Sequence, residues 1–241
     1  MAEFRHLAKE GLDIEEFHIS ARDGHQICVE SYQQSGLTSL PLLIYMHAEE
    51  ILVLVLNEEY RLSPEKLFPT GFEDSFDVVR WAIRSTIELE KGFLLYGTSA
   101  GANFTAGIAH LAVQKGLSLR LTGLLCLAGS FCHPDVRPTK YRDRNLSVDE
   151  LFESHANLAP RVAFYVSGWD PRRDEALLFE QLLREEELGT KLIVYPGLPY
   201  GFWTTCPDLE VSRCWQRVLI EANYAWLKCS VQDGFIQILC K

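Results

Sequence analysis

Ser99, Asp170 and Tyr200 sit where their side chains could do chemistry. Ser99 lies in "LLYGTSAGANF", where an apolar strand-like run meets a helical pattern through Gly97-Thr98-Ser99-Ala100-Gly101. G-x-S-x-G between a strand and a helix is a nucleophile motif. The turn must be so tight that the serine takes a strained backbone conformation, and a glycine two residues to either side leaves room for it. A serine held this way stands at the carboxyl end of a sheet, beside the positive end of a helix. The backbone N–H of Ala100 is then aimed at a developing oxyanion. Nucleophilic attack by Ser99 is the chemistry expected; a Gly-rich strand–helix turn without chemistry is the plainer reading. Asp170, in "WDPRRD", follows the apolar run "RVAFYVSG" and is expected at the carboxyl edge where sites cluster in open sheets. Asp before Pro also starts turns and caps helices. Tyr200 ends a Pro/Gly turn, "VYPGLPYGFW", that leads from a strand into a helix.

The elements that must position these residues are read from periodicity. "EEFHISARDGHQICVESYQQ" alternates polar and apolar residues on both sides of Asp23-Gly24, a hairpin signal. "LPLLIYMH" and "ILVLVLNEEY" are denser apolar runs, as in strands buried on both faces. Phe72, Phe76, Val79, Ile83 and Ile87 recur at helical spacing. A strand "GFLLYG", a helix from Ser99 to Lys115, and the strands "LTGLLCLAG" and "RVAFYVSG" come next. The helix "RDEALLFEQLLREEELG" is expected to use Gly189 as its C-cap, before a last strand "TKLIVYPG" and a last helix over 208–227. Strands alternating with helices predict an α/β fold, mainly a parallel sheet with helices on both faces and an N-terminal antiparallel hairpin. Residues 1–241 are expected to form a single domain.

The chain resembles the α/β hydrolases, and among them the hormone-sensitive-lipase-like esterases of the fold-3 type. The stretches that carry the likeness are "LPLLIYMH", "YRLSPEKLFPTGFEDSFDVVRW", "YGTSAGANF" and "WDPRRDEALLFEQLLREEELGTKLIVYPGLPYGFW", together most of residues 40–205. The resemblance implies a Ser-Asp-His triad in that chain order and a small lipophilic carboxylic ester as substrate, with specialised metabolism as the setting of related fungal proteins; no cofactor and no metal are expected. Carried over residue by residue, Ser99 is the nucleophile, Asp170 the triad acid and Ala100 an oxyanion donor. Asp174 reads as a first-turn helix residue instead.

Two features depart from the family pattern. Where the family has His-Gly-Phe in its last loop, this chain has Tyr200-Gly201-Phe202, and no histidine follows His155. A phenol, with an ordinary pKa of about 10, cannot shuttle a proton near neutrality as imidazole does. Where the family has His-Gly-Gly-Gly, His47 is followed by Ala48, Glu49 and Glu50 and then by the next apolar run. Three residues do not make the usual crossover between parallel strands, so these two runs are expected to form an antiparallel hairpin, or one of them to leave the sheet. The lid is also expected to be reduced, with about 133–158 as its remnant, and 229–241 reads as a tail of uncertain place. His133 is the candidate surrogate base, against the plainer reading of a loop histidine bonded to nearby backbone. His110 and His155 read as structural or exposed. Cys132, near the same edge, reads as an inert buried thiol.

Composition narrows the partners. A net charge of -10 argues against nucleic acid and anionic membrane surfaces. The run 51–56 is far too short to span a bilayer. The seven scattered cysteines, without zinc-ligand spacing and after an acidic start that reads as no signal peptide, point to reduced thiols and a cytoplasmic location. Three functional readings follow: an ester hydrolase, a ligand-binding or receptor-like protein that keeps the pocket without the chemistry, and a shortened gene product.

Overall fold

The computed structural model describes residues 12–36, 42–46, 54–85, 87–89, 92–117, 121–131, 161–213 and 215. His47, Glu49, Glu50, Cys132, His133, His155, the lid remnant 133–158 and the tail 229–241 lie outside the described residues. Two compact units meet in the chain at Leu95/Tyr96.

The N-terminal unit begins with the antiparallel hairpin of β1 (Leu12–Ser20) and β2 (Gln26–Gln34). Asp23-Gly24 makes its turn as predicted. Gly24 takes φ +84°, where a Cβ is disfavoured, and Asp23 accepts the His25 N–H at 3.1 Å. Period-two alternation gives each face its character. Ile19, Ile27 and Val29 are buried on the core face, while Glu16, His18, Cys28 and Glu30 share the other. Next come β3 (Leu42–Met46), β4 (Leu54–Glu58) and helix α1 (Thr70–Arg84); β5 (Phe93–Thr98) then runs through the unit boundary. The strand order in this unit is β1-β2-β4-β3-β5.

One expectation is overturned here. β3 and β4 are parallel, with Leu42 opposite Leu54 and Tyr45 opposite Asn57, so they are neither an antiparallel hairpin nor separated. The described strand β4 spans Leu54–Glu58. The eight links from Met46 to Leu54 reach about 26 Å when extended, roughly twice the length of a five-residue strand. Counting residues for a helical crossover set too strict a limit, because reach alone permits the return.

Two arginines, Arg22 and Arg61, tie the hairpin turn to α1. Arg61 grips Asp74 through Nε at 2.8 Å and Nη2 at 2.6 Å, and reaches Asp23 through Nη1 at 2.7 Å. Arg22 holds Asp77 through its backbone N–H at 2.8 Å and its Nε at 3.1 Å. Asp74 is buried, and Arg61 is the cation paired with it. Glu58, at the end of β4, is also buried and stands opposite Val29 on the core face. Neither of its carboxylate oxygens has a hydrogen-bond partner. Burial pushes the carboxyl from 4.5 up to about 8, with the Asp74 charge adding to the rise and Ser75 opposing it. The Ser75 hydroxyl is itself committed to the Gly71 carbonyl at 3.1 Å.

The C-terminal unit carries the end of β5, helix α2 (Ala100–Gln114), β6 (Gly123–Leu127), β7 (Arg161–Trp169), helix α3 (Arg173–Glu185), β8 (Gly189–Pro199) and the short helix α4 (Phe202–Thr205). The order is β5-β6-β7-β8, with β6, β7 and β8 parallel. The core here is aromatic: Phe131, Phe164 and Phe179 form one cluster, with centroids 5.0–5.7 Å apart. Trp203 stacks on Trp215 at 4.6 Å beside Phe202 in another. Gly189 is not the cap of α3. Glu187 takes the left-handed conformation at φ 61° and Gly189 opens β8, so the chain turns two residues earlier than predicted.

Candidate functional site

In a parallel sheet every strand delivers its following loop to the same edge. The C-terminal unit does this with β5, β6, β7 and β8, which lead into Ser99, Ala128, Asp170 and Tyr200 in turn. Backbone bonds bind the series together: Ser99 N–H donates to the Leu127 carbonyl at 2.9 Å, and Ala128 N–H to the Tyr165 carbonyl at 2.9 Å.

Ser99 is in a strained conformation, φ 59° and ψ -117°, a region L-residues rarely occupy. The cause is local. A Cβ on Gly97 would lie 2.1 Å from the Gly101 carbonyl carbon and oxygen and 2.5 Å from the Ala102 nitrogen. Strand and helix therefore touch backbone to backbone, and the serine between them is forced outward. Ser99 is partly exposed and Ala100, first residue of α2, is exposed. Ala100 stands in the first turn, where helical N–H groups lack intrahelical acceptors and the helix dipole is positive.

Asp170 is buried and its Oδ1 accepts the Arg172 N–H at 2.9 Å, while its carbonyl accepts the Arg173 N–H at 3.0 Å. Asp174 lies in the first turn of α3 with its side chain 53% exposed, where it pairs with Arg173. Tyr200 follows β8 directly. Trp169 and Pro199, the last residues of β7 and β8, are register partners, so Asp170 and Tyr200 are the first residues past the ends of two adjacent parallel strands. The close approach needs glycine: a Cβ on Gly168 would lie 2.8 Å from Gly197 N and 2.9 Å from the Tyr195 carbonyl oxygen. Gly201 turns the chain into α4 at φ 69°. Tyr200 is 38% exposed and Trp169 is 72% exposed, so two large rings remain uncovered at this edge. Of the histidines, His110 alone falls among the described residues of this unit; it is buried within α2, and burial lowers its pKa.

Sequence reasoning missed the scaffold under this edge. The Asn103 amide donates to the Ser130 carbonyl at 2.8 Å, which fastens α2 to the loop after β6. Glu175 of α3 accepts the Ser130 hydroxyl at 2.9 Å and the Phe131 N–H at 3.2 Å. Burial pushes the Glu175 carboxyl up while these two donors pull it down. Its one signal in the sequence is a third acid, after Asp170 and Asp174, in "WDPRRDE". Cys28, Cys126 and Cys206 are unpaired thiols, and no helix among the described residues is long and apolar enough to cross a membrane.

Comparison with known proteins agrees with this geometry. A family model described as alpha/beta hydrolase fold matches residues 38–153. An AB hydrolase superfamily protein of Schizosaccharomyces pombe is 29% identical over 210 residues, covering 72% of this chain and 61% of its own length. The versiconal hemiacetal acetate esterase of Dothistroma septosporum is 28% identical, covering 70% and 63%. The chain thus spans less than two thirds of either relative. Among solved structures, vibralactone cyclase superposes with a TM-score of 0.83 at 25% identity, over 93% of this chain and 83% of the other. Brefeldin A esterase, described as a bacterial homologue of human hormone sensitive lipase, gives 0.72 at 17% identity over 90% and 77%, a likeness of fold. The chain has an α/β-hydrolase fold and is similar to α/β hydrolases of the fold-3, hormone-sensitive-lipase-like type.

Proposed function

We propose that the protein is a carboxylic ester hydrolase of slow turnover, with Ser99 as nucleophile, Asp170 as the triad acid and Tyr200 in the position of the triad base. The observation that carries the reading is the strained backbone of Ser99, pinned between Gly97 and Gly101 at the mouth of α2. Strain of this kind persists only where the surroundings over-determine it, and it clusters at reactive positions. In the reaction, Ser99 Oγ attacks the ester carbonyl carbon, the Oγ–H proton passes to a base, and the alkoxide leaves with a proton. Water then hydrolyses the acyl-serine. Ala100 N–H would meet the oxyanion at the helix N-terminus. The chain supplies a phenol, not an imidazole, for the proton transfer, and the His-Gly-Gly-Gly donors are missing from the sequence. Catalysis then rests on the oxyanion donor and on binding, which sustain a small residual rate. A small lipophilic ester is the substrate class proposed, as the acetate esterase among the relatives suggests. His133, which follows β6 in sequence, is proposed as the surrogate base. Slow release of nitrophenol from a short-chain nitrophenyl ester, lost in Ser99→Ala, is the expected result; a rate unchanged in Ser99→Ala would reject Ser99 as nucleophile.

Tyr200 itself favours a second reading, a ligand-binding protein that has kept the pocket and lost the base. Tight binding of a lipophilic ligand that survives Ser99→Ala, with no nitrophenol released by the wild type, would support it.

A further inference from the structure

The β1–β2 hairpin carries a constellation that the ester chemistry does not use. His18 and Cys28 are direct cross-strand partners, and Glu16 lies two residues from His18 on the same face. A Glu16 carboxylate oxygen, a His18 ring nitrogen and the Cys28 sulfur all lie within 4.8 Å of one another. Glu16 and His18 are exposed and Cys28 is half-buried, so the group opens to solvent from a backed position.

Among the described residues, the charges that act on Cys28 are of one sign. Glu30 stands directly across from Glu16, a like-charged pair that costs stability in an antiparallel ladder. Glu59 N–H donates to the Cys28 carbonyl at 3.0 Å, so Glu59 flanks Cys28 from the β4 side. Burial first, then the charges of Glu16, Glu59 and Glu30, hold the Cys28 thiol above its ordinary value. Tyr32 Oη–H bonds one oxygen of Glu30. Among the described groups on this face, a cation would meet three carboxylates and an imidazole.

We propose that Glu16, His18 and Cys28 bind one divalent transition-metal ion of the zinc class, stapling the edge strand β1 to β2. The donor set selects the metal. Thiolate, imidazole and carboxylate together suit a borderline-soft ion, whereas magnesium and calcium require oxygen alone. Bonds of about 2.0–2.3 Å to a tetrahedral ion place ligand atoms roughly 3–4 Å apart, so the three side chains close by about an ångström, within rotamer freedom at an exposed site. Three protein ligands leave the fourth position to water. On binding, the Cys28 S–H bond breaks, its proton passes to the buffer, and the metal–sulfur bond replaces it, with no change of oxidation state.

The test is titration of the reduced, chelator-treated full chain with cobalt(II), which reports thiolate ligation through a near-ultraviolet charge-transfer band. One equivalent should bind and be displaced by zinc. Cys28→Ser should abolish the band although the remaining cysteines are intact. His18→Ala and Glu16→Gln should each weaken binding by roughly tenfold or more. All three positions are outside the apolar core, and matching metal-free melts would establish that the variants fold. A band that persists in Cys28→Ser, affinity unchanged in His18→Ala, or no saturable binding up to millimolar cobalt would overturn the proposal.

Discussion

Replacing Glu58 by glutamine should make the protein more stable at neutral and alkaline pH and leave it nearly unchanged at acid pH. Glu58 is 2% exposed, and neither carboxylate oxygen is hydrogen-bonded. Asp74, a charged neighbour that adds to the rise, is paired with Arg61. Folding therefore keeps Glu58 protonated up to about pH 8, whereas the unfolded chain ionises it from 4.5. The sign follows directly. The native state binds the extra proton throughout this window, so raising the pH favours unfolding. The stability that the raised pKa supports is complete below about 4.5 and is lost as the pH climbs to about 8. Each pH unit costs roughly 1 kcal/mol, on the order of 3–5 kcal/mol across the window. Glutamine has the same shape and never ionises. Urea melts of both proteins at intervals from about pH 5 to about pH 8 measure the difference in unfolding free energy, and the titrations common to both cancel. The variant should gain on the wild type steadily as the pH rises. A flat difference would refute the reasoning. A wild type that gains on the variant would mean that Glu58 is ionised and paired.

Two other substitutions probe the framework. Gly97→Ala should destabilise the protein by about 3 kcal/mol and distort the serine turn, because the new methyl meets backbone at 2.1 Å and backbone cannot step aside; a chemical melt within error of the wild type would contradict this. Arg61→Ala should cost about 3–5 kcal/mol, since it leaves the Asp74 carboxylate buried without its cation. Thermal or urea melts check it, and a loss below about 1 kcal/mol would show the pair to be dispensable.

The serine turn was legible because the constraint is covalent and local: only glycines fit where strand and helix backbones touch, and they mark the spot in the sequence. The hairpin was legible for a similar reason, Gly24 being required at positive φ between two alternating runs. The edge residues Asp170 and Tyr200 could be placed because a parallel sheet sends every loop the same way. What failed depended on distance or packing. The parallel pairing of β3 with β4 turns on how far a short connection can reach, which a residue count misjudges. Nothing in "LVLNEEY" singles out Glu58, and only the placement of the β4 end on the core face makes it buried. Glu175 shows nothing in sequence of the loop it holds, forty-four residues away. Glu16, His18 and Cys28 lack zinc-ligand spacing and converge only through the hairpin register.

The central claim is that Ser99, Asp170 and Tyr200 occupy the three stations of a triad whose base has been replaced. The most direct measurement is kcat/KM for a short-chain nitrophenyl ester in Tyr200→His against wild type. The account predicts a gain on the order of a hundredfold, the usual scale of a positioned general base, lost again when Ser99→Ala is added. A Tyr200→His protein that folds like the wild type and hydrolyses no faster would contradict it.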